Sequence, residues 1–99
     1  MVLPATEVDD AVAIIRQPAP RYPASLAQAG VRGTVQLSYV VDTTGRVEPG
    51  SVSAIASSHP AFEAAAREAV LASRFKPARL RGCPVRQLVS QTISFRLRG

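Results

Sequence analysis

The strongest constraint on the fold lies near the C-terminal end, where residue type alternates with a period of two from Val85 to Leu97. Val85, Val89, Ile93, Phe95 and Leu97 fall on one side with Gln87 and Gln91, while Arg86, Ser90, Thr92, Ser94, Arg96 and Arg98 fall on the other. Successive side chains of a strand point to opposite faces, so the pattern demands a long strand with one apolar face and one wet face. A strand of this kind needs neighbours in a sheet and a second layer over its apolar side.

A second alternating run supplies the neighbour. After Gly33, the residues Val35, Leu37, Tyr39 and Val41 share one face, and Thr34, Gln36, Ser38 and Asp42 share the other, with Val40 the exception. Asp42-Thr43-Thr44-Gly45 reads as a turn, because Asp favours its first position and Gly tolerates the positive φ that side chains resist. The chain returns through Arg46 to Ser57, broken at Pro49-Gly50 before Val52 to Ala56, which predicts an antiparallel hairpin.

Helices supply the second layer. Ser58 or His59 can cap a helix that Pro60 opens, since the N–H missing from proline is unpaired in a first turn anyway. Phe62, Ala65, Ala66, Ala69, Val70 and Ser73 follow helical spacing and predict a stripe facing the sheet, with Glu63, Arg67, Glu68 and Arg74 opposite and Lys76-Pro77 as the stop. Glu63 and Arg67 form a favourable i,i+4 pair. A shorter helix is expected from Pro23 to Ala29, ended by Gly30.

Met1 to Asp10 has neither a helical nor a strand period. Val12-Ala13-Ile14-Ile15 can add an edge strand or cover one side of the core. The prolines of Gln17-Pro18-Ala19-Pro20-Arg21-Tyr22-Pro23 then hold an extended path. The expected fold is α+β: a three-stranded antiparallel sheet with two helices packed on one face and an optional N-terminal edge strand. Residues 1–16 read as a linker or extension, and residues 17–99 as the domain. Ninety-nine residues suffice for one core and not for two.

Chemistry is sparse. The sequence holds one His, His59, and one Cys, Cys83, so neither belongs to a sequence-readable metal set. Ser57-Ser58-His59 are sequence neighbours beside a helix start, which suits a cap better than a triad. Gly30, Gly33 and Gly45 belong to different turns and make no phosphate loop. No catalytic residue, metal or cofactor is expected, and the chain is not read as an enzyme. The formal charge is +5, and eleven of twelve basic residues are Arg, thickening between Arg74 and Arg86. Without aromatic interleaving or a nucleic-acid motif, a solvated basic surface is the reading, and nucleic acid is not an expected partner. No apolar run reaches the roughly twenty residues of a membrane span, and Met1-Val2-Leu3-Pro4 does not look like a signal peptide. The chain therefore reads as either cytosolic or a piece of a longer protein, and its linker-like start favours the second.

What remains is a sheet edge. Nothing after Pro84 prevents Val85 to Leu97 from pairing with an added peptide strand. Edge strands are also common without any function, and Arg86, Arg96 and Arg98 suit a guard against aggregation equally well.

Several motifs in order carry a resemblance. Pro20-Arg21-Tyr22-Pro23, Ala27, Gly30-Val31, Gly33 and Val35 come first. Val40-Val41-Asp42, Gly45-Arg46-Val47 and Ser57-Ser58 ahead of Ala65-Ala66 follow. Arg74-Phe75-Lys76-Pro77-Ala78, Gly82, Pro84-Val85 and Phe95 complete the set. Together they resemble the TonB C-terminal domain family from Gln17 to Leu97.

The resemblance implies a periplasmic domain of an inner-membrane-anchored protein, joined through an anchor outside these residues to a proton-driven motor. It implies binding of the TonB-box peptides of outer-membrane transporters by strand addition, coupling proton motive force to uptake of siderophores or similar cargo. The implied contact strand is Val85, Arg86, Gln87, Leu88, Val89, Ser90, Gln91, Thr92, Ile93, Ser94 and Phe95. In the family a Gln just before Pro-x-Tyr-Pro helps to hold the box. Here Gln17 sits two residues early, so it stands as a candidate contact and equally as a linker residue. The alternative is a non-coupling interaction module of the same fold in another envelope protein. An open edge also invites a homodimer.

Overall fold

A computed structural model describes residues 1–97, so Arg98, assigned by alternation to the outer face, lies outside the described residues. The strands are β1 (Val2–Leu3), β2 (Ala13–Arg16), β3 (Gly33–Val41), β4 (Ser53–Ser57), β5 (Arg74–Lys76), β6 (Ala78–Leu80) and β7 (Cys83–Phe95). The helices are α1 (Ala24–Gln28) and α2 (Pro60–Leu71), with short 3-10 turns at Ala5–Glu7 and Pro49–Ser51.

The main sheet has the order β1-β7-β3-β4, with β6 also paired to β7. Strands β3 and β7 form its spine, an unbroken antiparallel register from Gly33↔Phe95 to Val41↔Gln87. The inner-face residues foreseen from alternation close the core. Val35, Leu37, Tyr39, Val41, Ile93 and Phe95 are buried there together with Leu26 of α1 and Phe62, Ala65, Ala66 and Val70 of α2. Val40, the exception on the outer face, is buried as well. The expected α+β fold is therefore present, with the sheet mixed because β1 runs parallel to β7.

Local signals act as read at most joints. His59 caps α2, its Nδ1 accepting from the Ala61 N–H at 3.0 Å. Gly45 adopts φ +87, and a Cβ there would lie 1.9 Å from the Phe75 carbonyl oxygen. Asp42 Oδ1 accepts from Thr44 N, Thr44 Oγ1 and Arg46 N, and these bonds hold its carboxyl below the usual range. Glu63 and Arg67 pair at 3.6 Å.

Three expectations are corrected. Helix α2 ends at Leu71, not at Lys76-Pro77, because Arg74–Lys76 leaves it as β5 and places Phe75 in the core beside Tyr39. The segment around Val12 to Ile15 does form a strand, β2, but in a separate two-stranded ribbon with β5. Val2–Leu3, read as patternless, joins the main sheet as β1. Two-residue pairings of this kind leave too short a run for any period to show.

Candidate functional site

Backbone direction along β3 decides what β7 exposes. Thr34 O accepts from Ser58 N and Val40 O from Glu48 N, so even-numbered residues of β3 turn their polar groups away from β7. Residues alternate in direction along an antiparallel strand, so Val35, Leu37, Tyr39 and Val41 turn theirs toward β7. Their partners are Ile93, Gln91, Val89 and Gln87. Leu88, Ser90, Thr92 and Ser94 therefore aim N–H and C=O outward, on the side opposite β3. Among the described residues no strand pairs with that side of β7 beyond Gln87. The side chains of Leu88, Ser90, Thr92 and Ser94 are exposed, so an approaching backbone meets no bulky cover.

The beginning of β7 is occupied. Val85 pairs with Ala78 of β6, across a hairpin whose two central residues, Arg81 and Gly82, both have positive φ. On the outer side, Val2 and Leu3 lie opposite Arg86 and Gln87. The next residue, Pro4, has no N–H to continue the ladder, and the chain leaves through the turn at Ala5–Glu7. The side chain of Arg86 is bound bidentately by Glu48 at 2.6 and 2.7 Å, and its guanidinium holds the Glu48 carboxyl below the usual range. Gln87 is buried and accepts from the Val12 N–H at 2.9 Å.

Gln17 reaches the same strand from above the inner face. Its amide donates to Gln91 Oε1 at 3.0 Å and accepts from Gln91 Nε2 at 2.6 Å. It also donates to Ser73 Oγ at 3.1 Å, while the Tyr39 hydroxyl donates to Gln91 Oε1 at 2.7 Å. Burial pushes the Tyr39 phenol up to about 12. The proline-rich segment after Gln17 then brings Tyr22 edge-on to Phe62 and Phe95, with centroids 5.5 and 5.7 Å away. The Tyr22 hydroxyl donates to the Val31 carbonyl, closing the loop around α1. Gln17 and Gln91 thus form a half-exposed amide pair beside the free edge.

The strand and Gln17 were both legible in the sequence, but their meeting was not. Residue 91 carried no sign except that a Gln interrupts an apolar face. The apolar pair Val2-Leu3 ahead of Pro4 was a visible signal for β1. The remaining candidate chemistry is structural: Ser57 Oγ lies against Glu63, Ser58 Oγ against the Thr34 carbonyl, and His59 caps α2. Among the described residues, no three His, Cys, Asp or Glu gather as a metal site, and no helix is long and apolar enough to cross a membrane.

Comparison with known proteins supports the fold and the family resemblance. The family profile of the Gram-negative bacterial TonB protein C-terminal matches residues 18–97. The solution NMR structure of the Pseudomonas aeruginosa TonB CTD is similar with a TM-score of 0.76 and 22% identity, over 92% of this chain and 91% of that one. No curated protein matches the sequence.

Proposed function

Because the chain belongs to the Gram-negative bacterial TonB protein C-terminal family, we propose that it binds TonB-box peptides of outer-membrane transporters along the free edge of β7. Residues 17–99 form the binding unit, and residues 1–16, which add β1 to the main sheet and β2 to the ribbon with β5, lead back toward an inner-membrane anchor. The domain works in the periplasm and couples a proton-driven motor to uptake of siderophores or similar cargo.

One observation carries the reading: Leu88, Ser90, Thr92 and Ser94 present backbone donors and acceptors outward, with no strand among the described residues beside them. An extended peptide completes that ladder with main-chain bonds, which ask little of its sequence and suit a domain serving many transporters. Gln17 and Gln91 flank the edge with amide groups able to bond a peptide side chain or carbonyl. Val85, Arg86 and Gln87 are held by β6 and β1, so the docking stretch is Leu88 to Phe95. Ordering a flexible peptide opposes binding, and an affinity of about micromolar or weaker is expected.

Titration with synthetic box peptides, followed by amide NMR, tests this. Signals of Leu88 to Phe95 and the side-chain amides of Gln17 and Gln91 should move. Saturating peptides from several transporters that move none of them would end the proposal.

A further inference from the structure

A row of cations crosses the two-stranded ribbon and the turn beside it. Arg16 of β2 lies opposite Arg74 of β5, past the bulge that follows Ile14, and an isolated antiparallel bridge on the other side of β5 sets Arg46 opposite Arg74. Directly opposed residues of antiparallel strands share a face, with Cβ atoms about 4.5–5.5 Å apart. Arg16, Arg74 and Arg46 therefore rise side by side from three neighbouring segments, all exposed, while Phe75 on the other face of β5 is buried. Lys76, two residues along β5, adds an exposed cation to the same face.

No carboxylate of the fold neutralises the row. Among the described residues, the ion pairs within 4.0 Å are Arg67–Glu63 and Arg86–Glu48, so none of the four cations has an acidic partner. Asp42 and Glu48 border the groove that Arg46 and Arg74 line. Asp42 is turned to the Thr44 and Arg46 backbone and to Thr44 Oγ1, and Glu48 is held by Arg86. Like charges placed directly opposite destabilise a strand pair, and no burial in β2 offsets the cost, because all four of its residues are exposed.

Exposed aliphatic side chains accompany the cations. Leu71, the last residue of α2, is 42% exposed and lines the groove with Arg46 and Arg74. Ile15, which the bulge inserts ahead of Arg16, is 70% exposed. Cations bordered by bare aliphatic groups fit the interfacial zone of a bilayer, where charged heads meet phosphates and apolar groups enter between the headgroups. We propose that this face docks on an anionic phospholipid surface, with Arg16, Arg46, Arg74 and Lys76 gathering lipid phosphates and Leu71 entering the headgroup layer. Lipids diffuse in the plane of the membrane, so their phosphates collect beneath a row of one sign without a pre-shaped partner. Guanidinium forks bond each phosphate bidentately. No residue of β7 takes part, so this surface is separate from the peptide-docking edge.

Co-sedimentation of the whole chain with vesicles tests this, comparing equal parts phosphatidylglycerol and phosphatidylcholine against phosphatidylcholine alone. Binding should require phosphatidylglycerol and weaken as salt rises. Amide NMR should show the strongest signal loss at Arg16, Arg46, Leu71, Arg74 and Lys76. Each cation at an anionic bilayer contributes about fivefold to affinity, so Arg16→Gln/Arg74→Gln should bind about ten- to thirtyfold more weakly. Arg32→Gln/Arg96→Gln removes the same charge at the far end of the main sheet, beside the Gly33↔Phe95 pair, and should cost about threefold at most. Leu71→Ser should weaken binding about threefold or more. The Arg16→Gln/Arg74→Gln protein should melt no lower than the wild type, because a like-charge pair has been removed, which separates lost docking from lost folding.

Equal losses in the two double variants would reduce the effect to net charge and overturn the site. Binding to both kinds of vesicle alike, or to neither, overturns the proposal. Undiminished binding by Leu71→Ser overturns the apolar contact. If inorganic phosphate or a soluble oligoglutamate perturbs the same signals at matched ionic strength while the vesicles do not, the row belongs to a free anion or an acidic protein, and the lipid proposal falls.

Discussion

Gln17 and Gln91 hold each other through two amide hydrogen bonds, of 3.0 and 2.6 Å, across 74 residues of sequence. The pair fastens the proline-rich segment to the inner face of β7, and Gln91 Oε1 also accepts from the buried Tyr39 hydroxyl. Replacing Gln91 with Ala strands that hydroxyl and the Gln17 amide together. The expected loss is about 1–3 kcal/mol, the cost of leaving a buried polar group unsatisfied. Urea denaturation should show it, and the Gln17→Ala/Gln91→Ala double variant should lose less than the sum of the single ones.

Tyr39 makes the alkaline limb of stability specific. Its phenol titrates at about 12 in the fold against 10.0 ordinarily. The folded state keeps this proton while the unfolded chain releases it, so Tyr39 leaves stability untouched below pH 10 and lowers it as pH rises toward 12. At about 1.36 kcal/mol per pH unit, its share of the loss is about 2–3 kcal/mol. Denaturation at intervals across that window should show a shallower decline in Tyr39→Phe than in the wild type. Parallel curves would contradict the assignment.

Arg81 occupies left-handed backbone, φ +52, at the first centre of the β6–β7 hairpin. A side-chain-bearing residue there costs about 1–2 kcal/mol, and Asn-Gly is the preferred pair for this turn. Arg81→Asn should raise stability by several tenths to about 1 kcal/mol, because the backbone N–H bond to Asp9 Oδ2 is unaffected. Thermal unfolding is the measurement.

Gly45 should tolerate no replacement. Ala there would meet the Phe75 carbonyl at 1.9 Å and would also have to hold φ +87. The backbone term alone is about 1–2 kcal/mol, and the collision adds displacement of β5. A Gly45→Ala protein as stable as the wild type in a calorimeter would refute this account.

Proline can separate the two sides of β7. At Ser90 it deletes an N–H aimed at solvent, whereas at Val89 it deletes one bonded to β3. Ser90→Pro should remain folded and lose strand-addition binding, while Val89→Pro should be severely destabilised. Circular dichroism and peptide titration on both variants check the asymmetry; equal damage would mean that the direction of the edge has been misassigned.

Legibility followed the length of the pattern. The β7 and β3 alternations and the stripe of α2 ran long enough for burial to impress its period on the residues, and their inner faces were read correctly. Short pieces escaped. Phe75 looked like the tail of a helix because a three-residue strand has no period of its own. The free edge was assigned to Val85 through Phe95, and only the partner of each backbone group separates Arg86 and Gln87, covered by β1, from Leu88 onward.

Local chemistry by itself determined which residues of the long runs turn inward, where the Asp42–Gly45 turn falls and that α2 starts at Pro60, because these depend on neighbours a few positions away. Motif order, with no coordinates, was enough to suggest the family. Tertiary structure decided the rest: that Gln17 meets Gln91, that Arg16 faces Arg74, and which side of β7 stays open. Each joins segments dozens of residues apart, and their register is set by packing over the whole sheet, which no local run of sequence records.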